Sequence, residues 1–161
     1  ITYTVSDGYN TTTKTRIVQV RDTTAPTLTL TGAVISLWPP NHGYTAINLT
    51  QLVASASDSC DSGVDINDVV ITKVTSDETE NGGGDGNTLN DIVIAQNCRS
   101  VQLRRERNGS GNGRVYTFHF KVTDPSGNST TATATVTVPK SQNGAGAVDN
   151  GPQYTVTSSC Q

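Results

Sequence analysis

Five carboxylates, Asp77, Glu78, Glu80, Asp85 and Asp91, fall within the 15 positions that follow Ser76. Gly82, Gly83, Gly84 and Gly86 lie among them, and no large apolar residue occurs from Asp77 until Leu89. A loop of this composition cannot hold itself together by burial. Its charges repel one another unless a cation or a basic side chain stands among them. Calcium takes about six to eight oxygens from carboxylates, amides and backbone carbonyls, and glycines let a backbone turn tightly enough to aim carbonyls inward. Asp85, Asn87 and Asp91, with Glu78 across the loop, are therefore the candidate Ca2+ ligands. The segment is not an EF-hand, because the twelfth position counted from Asp85 is Gln96 and not glutamate. The competing reading is a loop neutralised from within by Arg104 or Arg107.

A second group of oxygen ligands is Asp58, Asp61, Asp124 and Asn128, for which the competing reading is a pair of Asx turns. Trp38, beside Pro39, Pro40 and Tyr44, offers a face for stacking on a sugar, against the alternative of a core plug. His42 and His119 are the only histidines, and neither has partners in the sequence that would make it a metal ligand or a base. There is no GxSxG, HExxH or phosphate-binding glycine loop, and no cysteine with a credible histidine partner. The chain is expected not to be an enzyme. A net charge of −3 gives no electrostatic case for nucleic acid, and no run approaches a membrane span.

The residues around these groups read as strands. Charged residues are only 16% of the 161, threonine is abundant, and no helical periodicity of useful length occurs. Residues 1–21 alternate and turn at Asp7–Asn10, a β-hairpin. Residues 3–20 (YTVSDGYNTTTKTRIVQV) align with 120–138 (FKVTDPSGNSTTATATVTV), with one extra residue in the second turn. The first copy thus reads as the last two strands of a preceding domain. Two strands alone are marginal in water, so the hairpin must pack on the main domain or complete a sheet in another chain. Residues 22–26 are a linker, 27–139 a sandwich, and 140–161 a further linker with a possible strand at 154–158.

Within 27–139 seven strands follow one another with turns between: 27–31, 44–56, 68–75, 91–95, 101–105, 116–122 and 132–138. That order predicts an all-β, immunoglobulin-like β-sandwich. Asn112–Tyr116 places a tyrosine where a tyrosine corner would be. The same order puts the acidic loop at one end with the basic turn around residues 104–114, and that is the end the linker 22–26 should enter. Cys60 and Cys98 fall at the other end, where a disulfide between them is plausible. Three cysteines leave one thiol over, and cysteines without CxxC spacing suit an oxidising, extracellular setting. Asn10, Asn48, Asn108 and Asn128 head glycosylation sequons, a weak signal in so threonine-rich a chain.

LWPPNH (37–42), the Gly84–Thr88 run with Asp91, SVQLRRERNGSGNGRVYTF (100–118), VTDPSGN (122–128) and VTVP (136–139) together resemble a bacterial Ig-like module. It is related to the HYR and bacterial Ig-like repeats of large secreted and cell-surface proteins, and the resemblance covers about 27–139. It implies an adhesive, stalk or accessory domain, often with calcium, whose partners are neighbouring Ig-like domains or other copies. The family loop usually reads Asp-Gly-Asp, and here Asn87 replaces the second acid, which lowers ligand charge. Two further expectations are a fibre subunit joined by β-strand complementation and a glycan-binding accessory module resting on Trp38 and Tyr44.

Overall fold

A computed structural model describes residues 1–143 and 146–160; positions 144, 145 and 161 of the expected C-terminal linker and strand lie outside the described residues. The strands are β1 (Thr2–Ser6), β2 (Thr11–Thr15), β3 (Thr27–Leu30), β4 (Ile35–Ser36), β5 (Tyr44–Asn48) and β6 (Val53–Ser57). They continue with β7 (Val70–Ser76), β8 (Ile92–Ile94), β9 (Ser100–Arg104), β10 (Gly113–Thr123), β11 (Ser129–Pro139) and β12 (Tyr154–Thr157). One layer is the five-stranded sheet β12-β7-β10-β11-β4; β3-β6 and β5-β9-β8 make up the other. The expected all-β sandwich is what forms.

The two layers close on one core because alternate residues of β10 point into it. Tyr116, Phe118, Phe120 and Val122 are all fully buried, and Val136 and Val138 of β11 join them. Leu103 and Val101 of β9 and Ile47 of β5 meet them from the opposite layer. Burying each such side chain contributes about 1.5–3 kcal/mol.

Two elements depart from strict alternation. In β7, Val74 faces Phe118 and Ile71 faces Phe120, so Thr72 is the extra residue of a β-bulge. Its hydroxyl donates to the His119 carbonyl at 3.1 Å. The bulge puts Ile71 and Val74, three positions apart, in the same core. The single strand expected over 44–56 is two strands, β5 and β6, separated by one helical turn, α1 (Leu49–Leu52). Leu49 and Leu52 are both buried by that turn, and the Asn48 amide donates to the Gln51 side chain at 2.7 Å. The chain can then leave β9 and pair with β3.

The hairpin β1–β2 pairs only with itself, and all ten of its strand residues are exposed. Its turn nonetheless matches that of β10–β11. The Asp7 amide donates to the Asn10 carbonyl and Asp7 Oδ1 accepts from the Asn10 amide; Asp124 and Asn128 make the same two bonds with one residue more between them.

The linker expectation is corrected. Antiparallel pairing sets Thr27 opposite Ser57, so β3 begins where β6 ends. The linker therefore enters beside the loop carrying Asp58 and Cys60, opposite the acidic loop. The disulfide is also corrected: it joins Cys98 to Cys160, not to Cys60, which is free and exposed. The reason is β12. It adds antiparallel to β7, and the Ser158 amide donates to the Thr72 carbonyl, which delivers Cys160 to the turn holding Cys98. The bond spans a sequence separation of 62, for which loop-closure entropy gives on the order of 4 kcal/mol. Replacing both Cys98 and Cys160 by serine is expected to lower urea-denaturation stability by about that amount. The change should also raise amide exchange over Tyr154–Thr157, whereas Cys60→Ser, measured in chelator, leaves both measurements unchanged.

Candidate functional site

Arg114 stands at the start of β10, one residue after Gly113. A side chain at Gly113 would meet the Val138 carbonyl at 2.9 Å, and its φ of 102° is one that glycine adopts freely. Glycine there lets β10 and β11 close tightly, and Arg114 is then carried wholly inside the acidic loop. Its Nε donates to Glu78 Oε2 at 3.0 Å. Its Nη1 donates to Asp91 Oδ2 and, at 3.2 Å, to the Tyr116 hydroxyl. Its Nη2 donates to the Thr79 carbonyl at 3.2 Å and stands 3.7 Å from Asp85 Oδ2. A planar guanidinium can satisfy several acceptors in this way.

The loop is folded around that cation. Asp85 is fully buried and accepts from the Gly82 and Asn87 amides. Glu78 also accepts from the Asn108 amide at 2.8 Å, which ties the loop to the 108–112 turn. Asp77 accepts from the Val115 amide at 2.7 Å. Tyr116 donates to the Arg104 carbonyl at 2.8 Å, which ties β10 to the end of β9. Arg104 donates to the carbonyls of His42 and Leu89 and lies 3.6 Å from Asp91 Oδ1. Behind it the buried Glu106 accepts from the Thr88 hydroxyl and from His42 Nδ1.

Protonation follows from this enclosure. Burial pushes the Asp91 carboxyl up to about 7, and the neighbouring Glu106 carboxylate adds to the rise, against the lowering effect of Arg114. Burial likewise raises Asp77. Burial on its own would depress Arg114; Tyr116 and the bonds to Asp91 and Glu78 outweigh it and hold the guanidinium above its ordinary range.

The expected ligands Glu78, Asp85 and Asp91 are thus brought together, but around Arg114. Asn87 is exposed, at a φ of 56°. In this arrangement the loop carries an internal cation, the Arg114 guanidinium, among the three carboxylates. Arg104 contributes as foreseen. Arg107 does not; it donates to the Asn108, Pro139 and Lys140 carbonyls. The sequence reading missed Arg114 as the counter-ion and Glu106 altogether. The available signal for Arg114 was its place two residues before the corner tyrosine, on the inward face of β10.

At the other end, Asp124 accepts from both nitrogens of Asn128, and Asp61 accepts from the Gly63 amide, so these are Asx-type turns. Asp58 instead faces Asp22: one ligand atom from each, with Cys60 Sγ, lies within 4.8 Å of the others. Trp38 and Tyr44 are about a third and two-fifths exposed (36% and 41%), but the Arg104 guanidinium lies 4.3 Å from the centre of the Tyr44 ring. That covers one face of the expected stacking platform. No helix among the described residues is long and apolar enough to cross a membrane. Compared with protein-family models, curated proteins and solved structures, the chain matches none.

Arg114→Met should remove about 3–5 kcal/mol of folding stability, the cost of stranding buried carboxylates, measured by chemical denaturation. Arg114→Lys should recover only a minority of that loss, because an ammonium lacks the fork. Asp91 binds its proton more tightly folded than unfolded, where its value is 3.8. Its contribution is therefore complete below about pH 4 and is lost as pH rises through about 7. Thermal midpoints should fall between pH 5.5 and 8.5, and Asp91→Asn should flatten that slope.

Proposed function

We propose that this chain is a non-enzymatic, extracellular Ig-like module of a bacterial surface or secreted protein, acting as a spacer or adhesive unit beside similar modules. One observation carries the reading. The hairpin β1–β2 repeats the sequence and the turn chemistry of β10–β11, yet it lies exposed while its counterpart forms the centre of the core. Tyr3, Val5 and Ile17 are the surfaces a neighbouring unit of this kind would cover. The disulfide suits an oxidising compartment. The resemblance over 27–139 supports the same conclusion.

A second reading is a fibre subunit joined by strand complementation. It is favoured by the position of β12 at the border of its sheet, which leaves a backbone edge open to an added strand.

Limited proteolysis separates the hairpin from the sandwich. Under the module reading, cleavage falls between Arg16 and Thr24, and the remaining sandwich melts at an unchanged midpoint. Loss of the sandwich fold on cleavage would count against it. Filaments under electron microscopy that vanish when the hairpin is removed would establish the fibre instead.

A further inference from the structure

We propose that Asp22, Asp58 and Cys60 form a binding site for a thiophilic divalent cation of the zinc type, clamping the linker to the sandwich. The inference holds whether or not the hairpin belongs to a neighbouring module. Each aspartate uses one oxygen to fix its own backbone and leaves the other free. Asp22 Oδ1 accepts from the Thr24 amide at 2.8 Å. Asp58 Oδ1 accepts from the amides of Cys60 at 2.7 Å and Asp61 at 3.0 Å. The remaining oxygens, Asp22 Oδ2 and Asp58 Oδ2, are both sealed from solvent, and neither accepts a hydrogen bond. An unpartnered, desolvated carboxylate oxygen is costly, and two facing one another are more so.

At the acidic loop the same difficulty is met by arginine. Here no Lys, Arg or His among the described residues lies within ion-pair reach of Asp22 or Asp58; the ion pairs of the described residues all belong to the other end. Cys60 Sγ completes a triad with one carboxylate oxygen of each aspartate, all three within 4.8 Å of one another. The positions are already held: the Asn128 amide nitrogen donates to the Asp22 carbonyl at 3.4 Å, and the Thr24 hydroxyl lies 3.7 Å from the thiol.

The donor set decides the class of ion. Calcium and magnesium take oxygen and leave thiolate alone, whereas zinc accepts thiolate and carboxylate at about 2.0–2.3 Å. Three protein ligands with a solvent molecule as the fourth give a tetrahedron. On binding, the Cys60 thiol loses its proton to solvent and the thiolate bonds the metal; nothing is oxidised or reduced.

Because Cys98 and Cys160 are joined, Cys60 is the only alkylatable thiol, and it reports on the site directly. The full chain is stripped with chelator, dialysed, and treated with iodoacetamide with and without added Zn2+. The expected result is one zinc per chain and alkylation slowed by about tenfold or more, with proton release on binding. Asp22→Asn and Asp58→Asn should each abolish the protection while melting like the parent in chelator, and Cys60→Ser should abolish stoichiometric zinc. Undiminished alkylation in saturating Zn2+ would overturn the proposal. So would protection that survives both aspartate substitutions, equal protection by Ca2+, or isolation of Cys60 wholly in an intermolecular disulfide.

Discussion

The enclosure of Arg114 is the interaction on which one whole end of the sandwich depends. The loop between β7 and β8 contains no large apolar side chain from Asp77 to Thr88, so hydrophobic burial cannot order it. What orders it is a guanidinium fully removed from water, which requires acceptors on nearly every face. Glu78, Thr79, Asp91 and Tyr116 supply them, with Asp85 alongside. The loop's shape is therefore held by the bonds that satisfy the cation. The loop geometry is thus a property of β10, the strand that carries the arginine, as much as of the loop itself.

The fold class was readable because strand patterns are local. The alternation Tyr116, Phe118, Phe120, Val122 and the Val136–Val138 pair state which faces are buried, and the structure buries them. The duplication of residues 3–20 in 120–138 was equally legible, down to the extra residue in the turn. Errors arose wherever alternation breaks or distance in sequence decides. The bulge at Thr72 and the helical turn at Leu49–Leu52 shift the register without any glycine or proline to announce them. The pairing of Cys98 depended on the place that β12 takes in the sheet, which no local pattern encodes. The site was half legible. Acidic residues in a glycine-rich loop demand a counter-charge, but whether that charge is a metal or a side chain rests on which residue of a distant strand faces inward.

The two ends of the sandwich treat negative charge differently. Around Arg114 the acids are matched by basic groups within the chain, and burial raises the Asp91 carboxyl above the ordinary carboxylate range. Beside the linker, Asp22 and Asp58 have only backbone amides and a thiol for company. The charge network around Arg114 ties its own loop to β10. The other group stands where residues 22–26 meet the sandwich, and the Asn128 and Thr130 side chains donate to the Asp22 and Pro26 carbonyls there.

The bond between Cys98 and Cys160 also sets how the chain would answer to pulling. Tension applied across residues 1 to 160 reaches Cys160 and crosses to Cys98 through covalent sulfur. Strands β9, β10, β11 and β12, which lie between these two residues in sequence, are closed within the covalent loop and cannot be drawn out while the disulfide holds. Only the part of the chain before Cys98 can be drawn out, and the strands that hold the aromatic core and Arg114 stay slack behind a covalent shortcut. The stretch from residue 1 to Cys160 then has a fixed maximum reach, well short of its contour length, that no breakage of hydrogen bonds can extend.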